Sequence, residues 1–493
     1  MLLLKNKYTS YLLLLLFTIP LFFLNIRDVH SWGDDFAQYI KEALNIAHGK
    51  PYYQSGYIYN PYNTTYAPPQ YPPGYPLLLA PVVKIWGIAI KPMLYLNTVI
   101  AASLLFALFE YFRKQASTAT AICLAVAITY SGVMVDLKGN ILSDTSCLLF
   151  ITLYLTVRNA PNFPIWRILL LIFLLVMAVL IRSQAILLLV AEVILLALSL
   201  IKSTVQKQRL SVIQSSFKPA VYIIAGTLVV NFILNKLVFN APVPASSFYN
   251  QFIQQIIHGD IKNMADAQKI RLLPDIASFF YHDDEMGISF VQSVVITFTA
   301  VGFTICIANR LATDDLFFVL MCLLIVFLPV HDPRYFLPAI PLLFFYCYTT
   351  FKVILPRITK LNGRWVGIVL TLIYLRMGYG NLKEAAKIVP AGMIPQTRDL
   401  AAFRYISQHI NDNDVILFTK PRLLTLYTGK KSINTAWQIP MTENKHIFDS
   451  VGVKYVLIVD GLDDSYYKDY MKQVQHPTDS VRIADGYTVY SLR

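Results

Sequence analysis

Apolar residues fall in long blocks along this 493-residue chain instead of alternating with polar ones. Blocks near residues 11–24, 92–112, 117–135, 141–157, 165–181, 184–201, 219–238, 288–307, 314–330, 335–355 and 365–380 are each long enough, or nearly so, to cross a bilayer as a helix. A shorter apolar stretch, 75–90, begins in the proline cluster Tyr71-Pro72-Pro73-Gly74-Tyr75-Pro76. Past residue 380 the pattern becomes that of a soluble domain. Leu400, Phe403, Ile406 and Ile410 mark one helix face, residues 411–414 form a polar turn, and strands follow at 415–418, 455–459 and 487–492.

Charge decides whether 75–90 crosses the membrane. If it does not, there are about eleven spans, and one side collects Arg113, Lys114, Arg158, Lys202, Lys207, Arg209, Lys218, Arg310, Lys352, Arg357, Lys360 and Arg364. That satisfies the positive-inside rule, whereas counting it as a span reverses every later loop. We therefore read 75–90 as interfacial. Lys5 and Lys7 precede the first block and no small-residue cleavage site follows it, so an uncleaved first helix is expected. The expected fold is a polytopic α-helical membrane protein with interfacial helices in its first outer loop and a C-terminal soluble α/β domain. Residues 1–380 form the membrane module, with outer loops at 28–91 and 239–287, and residues 381–493 form the extracytoplasmic domain.

Composition agrees, with 56% hydrophobic residues against 14% charged, far from soluble usage. Cys123, Cys147, Cys306, Cys322 and Cys347 all lie in apolar blocks, which suggests no disulfide framework or zinc site. The net charge of +13 does not point to nucleic acid. Residues 381–493 hold 14 basic and 12 acidic side chains, leaving +11 in the membrane module, where it sets topology.

Chemistry is sought in the outer segments. Asp34 and Asp35 follow the first helix closely, and such a pair supplies a general base or a cation ligand. The alternative is that Asp34 caps the next helix and Asp35 sits in its first turn. Asp144 opens an apolar block, where a carboxylate requires a partner or a watery cavity. Arg182 lies between two blocks as an anion contact or a snorkelling interfacial residue. In His331-Asp332-Pro333-Arg334-Tyr335, Arg334 offers a fork for phosphate and Tyr335 a hydroxyl, against a turn held by an Asp332–Arg334 pair. A divalent metal is a candidate at Asp34 and His331, or at His331 with His282, Asp283, Asp284 and Glu285, although the spacing matches no strong ligand motif. Eight tyrosines between residues 52 and 75 suit interfacial anchoring or stacking on a sugar or prenyl chain. Asn63-Thr64-Thr65 fits a glycosylation triplet.

In this order, Asp34-Asp35, the Tyr71 to Leu79 run, Leu142-Ser143-Asp144, and Arg334-Tyr335 followed by Pro338 and Pro341 resemble the C superfamily of membrane glycosyltransferases. The likeness is greatest to the protein O-mannosyltransferase and aminoarabinose lipid A transferase branch. Lys420-Pro421-Arg422 and Leu426-Tyr427-Thr428-Gly429 are similar to the tail of bacterial members. The resemblance implies inverting transfer of a sugar from a polyprenyl or dolichyl phosphate to a protein, lipid or glycan acceptor. Asp34 is then the first choice of base with Asp35 its neighbour, and Asp144 is a second acid, at a position where relatives carry Glu. Arg334, Tyr335 and Arg182 take the carrier-phosphate side. Partners are a polyprenyl-phosphate sugar donor, an acceptor and the bilayer, with no nucleic acid, and the expected location is a bacterial inner membrane with the site facing outward. A polyprenyl-linked glycan polymerase or ligase, or a lipid-sugar transporter, are the competing readings.

Overall fold

The computed structural model describes residues 7–60, 62, 68–159, 163–205, 210–240, 285–327, 332–358, 379, 382–383, 393–436, 439–462, 464–473 and 477–492. The apolar blocks fold as α1 (Lys7–Thr18), α4 (Ile90–Arg113), α5 (Thr118–Thr129), α6 (Gly132–Lys138), α7 (Asp144–Arg158), α8 (Ile165–Ile181), α9 (Ile186–Val205), α10 (Leu210–Ile233), α11 (Glu285–Asn309), α12 (Thr313–Phe327) and α13 (Ile340–Ile358). In the first loop lie α2 (Asp35–Ala47) and α3 (Gly74–Trp86). Among the described residues four helical segments are long and apolar enough to cross a membrane: Ile90–Arg113, Ser183–Ser203, Phe217–Phe239 and Arg334–Ile354. Shorter apolar helices, such as Ile165–Ile181 and Ser293–Asn309, accompany them. The chain is an integral membrane protein. The expected block at 365–380 and most of the second loop fall outside the described residues.

One expected span is broken. Residues 117–135 form α5 and α6, bent by 59°. The break falls at Tyr130-Ser131, where the Ser131 hydroxyl accepts from the Met134 amide at 3.3 Å and starts the helix afresh. Residues 75–90 belong to α3, at 13 residues too short to span upright. Gly74 is required at its start, because a Cβ there would stand 2.6 Å from the backbone of Leu180. Its absence lets the tyrosine-proline loop sit directly against the end of α8.

The tail contains α14 (Thr397–His409), α15 (Pro421–Thr428), α16 (Met441–Val451) and α17 (Asp464–Gln473). With them are β1 (Val415–Leu417), β2 (Lys431–Ile433), β3 (Val453–Val459), β4 (Asp479–Ala484) and β5 (Tyr487–Ser491). The sheet order is β2-β1-β3-β5-β4, parallel among the first three and antiparallel in the rest. Strand alternation divides the sheet's two faces. Val415, Leu417, Val456 and Ile458 bury with Phe448 and Tyr470 from α16 and α17. Ile416, Phe418, Leu457 and Val459 belong to the core that continues into the membrane module. Hydrogen bonds dock this tail on the first loop. His30 and Ile394 exchange two amide bonds of 2.7 Å, the Ile58 amide donates to Ser432 at 2.8 Å, and the Asn60 side chain donates to the Asn434 carbonyl at 3.0 Å.

Candidate active site

The two adjacent carboxylates do different things. Asp34 occupies the N-cap position of α2, yet its side chain makes no capping bond to that helix. Instead it reaches α15 in the tail, where Oδ1 accepts from the Leu423 amide at 2.9 Å and Oδ2 from the Arg422 amide at 3.4 Å. Helix α15 begins Lys420-Pro421, with no side-chain cap of its own. The first loop thus supplies the missing acceptor for its free N2 and N3 amides, a contact typically contributing ~1 kcal/mol. Burial raises the Asp34 carboxyl above its ordinary value, against the pull of Arg422 and the Leu423 amide.

Asp35 sits in the first turn of α2 and faces the other way. Its Oδ1 accepts from the Tyr71 hydroxyl at 2.7 Å and from Arg422 Nη1 at 3.3 Å. Its Oδ2 has no hydrogen bond among the described residues and stands 4.0 Å from Arg334 Nη1. Both side chains are about one-third exposed, 34% for Asp35 and 33% for Arg334. Asp332 holds Arg334 from behind: its Oδ2 lies 2.7 Å from Nε and 2.6 Å from Nη2, and its Oδ1 accepts the Arg334 amide at 2.9 Å. The Asp332–Arg334 pair, the alternative reading of this turn, is therefore present, and it orients the guanidinium so that Nη1 is left toward Asp35.

Asp144, at the start of α7, is buried and paired with Arg182 at the end of α8. The Arg182 guanidinium lies over the Tyr335 ring, 5.2 Å from its centroid. Beside this pair the Tyr39 and Ser143 hydroxyls meet at 2.9 Å. The structure thus gathers Asp34, Asp35, Arg334, Tyr335, Arg182 and Asp144 at one end of the bundle, with Asp35 rather than Asp34 beside Arg334. His331, residues 282–284 and the Asn63 triplet lie outside the described residues. Among those described, no three His, Cys, Asp or Glu side chains form a metal-binding group. Among the described residues both Asp34 oxygens are engaged by amides, and the oxygen of the acid pair without a hydrogen bond is Oδ2 of Asp35.

Some residues at this end were not expected there from the sequence. Arg422, completely buried, donates to Asp35, to the Tyr71 hydroxyl at 3.0 Å and to the Pro68 carbonyl at 3.0 Å. Its guanidinium lies close to the rings of Tyr57 and Tyr71, at 5.3 and 5.2 Å from their centroids. Two of the loop tyrosines therefore stack on an arginine of the protein. The signal was a helix start, Lys420-Pro421, without a Ser, Thr, Asp or Asn to cap it. His30 stacks on Phe36 and accepts the Ile141 amide at Nε2, 3.0 Å away. Burial lowers its pKa to about 4, so it stays neutral and can accept that bond. Glu42, two turns along α2 from Asp35, accepts from Gln38 at 2.8 Å and the Tyr71 amide at 2.9 Å. Burial pushes it up to about 8.

No protein-family model matches this chain, and no curated protein matches it by sequence. Solved structures do match. ArnT from Cupriavidus metallidurans, bound to undecaprenyl phosphate, superposes over 99% of this chain and 98% of its own, with a TM-score of 0.53 at 11% identity. The apo Archaeoglobus fulgidus oligosaccharyltransferase superposes over 92% of this chain and 70% of its own, at 0.59 and 9% identity. The same organism's AglB, in complex with an inhibitory peptide and a dolichol-phosphate, superposes over 92% of this chain and 70% of its own, at 0.53 and 9%. This chain has the fold of these solved structures, and its match to ArnT runs nearly the full length of both chains, tail included.

Proposed function

We propose that this protein transfers a sugar from a polyprenyl-phosphate carrier to an acceptor hydroxyl or amine, with Asp35 as the general base. The observation that carries the reading is the free Oδ2 of Asp35, 4.0 Å from the partly exposed fork of Arg334. Support comes from the fold shared with a structure bound to undecaprenyl phosphate and another bound to a dolichol-phosphate. In the proposed reaction Oδ2 takes the acceptor proton as the acceptor atom bonds to the anomeric carbon. The bond from that carbon to the carrier phosphate breaks, and the phosphate gains a negative charge. One displacement inverts the anomeric centre. A positioned base contributes typically ~10² to 10⁴ in rate.

Arg334 Nη1 is oriented to meet the growing phosphate charge, which is stronger in the transition state than in the bound donor. Arg182, neutralised by Asp144, is the weaker cation and positions Tyr335 through its ring contact. Asp34 is assigned to holding the tail, and Asp144 to holding Arg182. The described residues supply no shell for a divalent ion, and no step here passes through one. We place the site on the outer face of the membrane from the charge pattern of the loops, and take that membrane to be a bacterial inner one from the tail's resemblance to bacterial members. The test is release of labelled sugar from a polyprenyl-phosphate sugar by purified protein. Wild type turns over and Asp35→Asn does not while still binding the carrier; equal turnover by both would overturn the assignment.

A further inference from the structure

Resting on that reading, we infer that Arg422 of the tail is the positioning residue that keeps the base and the phosphate-binding arginine from neutralising each other. Asp35 lies between two guanidinium groups. Arg422 holds Oδ1 at 3.3 Å, while Arg334 stands 4.0 Å from Oδ2, just beyond hydrogen-bond distance. A carboxylate and an arginine this close, both partly exposed, close into a bidentate pair unless something restrains one of them. Such a pair would consume the proton-accepting oxygen and the Nη1 face of Arg334 together.

Asp35 is restrained from the tail side. Arg422 is itself held by several groups: the Tyr57 and Tyr71 rings lie close to it, Pro68 takes Nη2, and Tyr71 takes Nη1 together with Asp35. Its Nε has no hydrogen bond and lies 3.8 Å from Asp34 Oδ2. The charge is thus shared between both acids, with the closer approach to Asp35. Asp34 fixes the backbone from which this side chain projects by capping α15 at Arg422 and Leu423. An arginine is suited to this place because its planar fork engages several acceptors at once and keeps its charge when buried. The consequence is that the site is complete only when residues 393–492 are docked on the first loop. The tail acts as a structural part of the transfer centre.

The test measures binding of undecaprenyl phosphate, without sugar, to full-length purified protein, alongside sugar transfer. Wild type, Arg422→Gln, Arg422→Lys, Asp35→Asn and the double variant Arg422→Gln/Asp35→Asn are compared as monodisperse samples. Arg422→Gln is expected to abolish transfer and weaken carrier binding about tenfold, the effect of removing one charge-assisted hydrogen bond between Arg334 and the carrier phosphate. Removing the collapsing carboxylate in the double variant should restore wild-type carrier binding without restoring transfer. Arg422→Lys keeps the charge without the fork, so its binding should lie between wild type and Arg422→Gln, and it carries the test if Arg422→Gln does not fold. Unchanged carrier binding in Arg422→Gln overturns the inference, and so does a double variant that binds as weakly as the single one. If wild type itself fails to bind the carrier, the proposed function falls first and this inference with it. Carrier-binding wild type with an indifferent Arg422 removes only the inference.

Discussion

Helix α7 carries an ionic cluster at each end, and the two are built on opposite plans. At its C-terminus, Glu192 Oε1 accepts from Tyr154, Arg158 and Thr313, and its Oε2 accepts from Arg158. Next to it Asp314 takes the Tyr111 hydroxyl and two bonds from Asn159, while Asp315 takes the Tyr346 hydroxyl and the Ala312 amide. Every carboxylate oxygen there is occupied. A cavity of about 480 Å³ opens onto this end, past Lys114, Arg310 and Lys352. At the N-terminus, 14 residues or roughly 21 Å away along the helix, Asp35 keeps one oxygen without a hydrogen bond among the described residues, beside a partly exposed guanidinium. A saturated buried network ties five helices together and has no group left for chemistry. The open cluster gives up part of that satisfaction and keeps a reactive oxygen.

The largest expected effect breaks the open cluster. Asp35→Asn should cost ~10² to 10⁴ in transfer rate per folded molecule while its remaining oxygen still accepts from Tyr71 and Arg422, read by single-turnover release of sugar. The closed cluster should show the reverse. Glu192→Ala leaves the partly buried Arg158 without its buried counter-ion and should destabilise the fold by up to about 3 kcal/mol, while turnover per folded molecule is retained. Melting curves and active-site titration separate the two. Asp34→Ala should fall between, removing the cap of α15 at a cost of ~1 kcal/mol. The result should be faster proteolysis of the tail junction, with Asp34→Asn close to wild type because asparagine also accepts from amides.

The smallest effect concerns pH. Glu42 keeps its proton in the fold up to about 8, against an ordinary value of 4.5. Between those values the folded chain binds more protons than the unfolded one, so stability falls as pH rises through that window. Glu42→Gln removes that dependence, so its melting temperature should match wild type near pH 4 and exceed it at pH 8. A wild-type melting temperature that stays level across the window would show that Glu42 ionises normally.

Much of this was legible in the sequence. Hydrophobic blocks located most helices to within a few residues, and the apolar stretch after the proline cluster forms the short helix Gly74–Trp86. Asp34, Asp35, Asp144, Arg182 and Arg334 stood out because charge at block edges is costly enough to need a reason. What the sequence could not give was which acid faces which arginine. Asp34 and Asp35 are neighbours, and a single residue step around the start of a helix turns a side chain by about 100°. Arg422 was hidden by 387 residues of separation from Asp35. Strands β2 and β4 were missed for local reasons. The first has three residues, and the second is an exposed edge strand with few apolar positions.

The division of labour between the adjacent acids is the central claim, and one comparison tests it. Labelled polyprenyl-phosphate sugar is given to Asp34→Asn and Asp35→Asn, matched for folded protein and for binding of the sugar-free carrier. Near-wild-type transfer by Asp34→Asn and none above background by Asp35→Asn is the expected result. Transfer by Asp35→Asn together with its loss in Asp34→Asn would refute that division and move the base to the acid that caps α15.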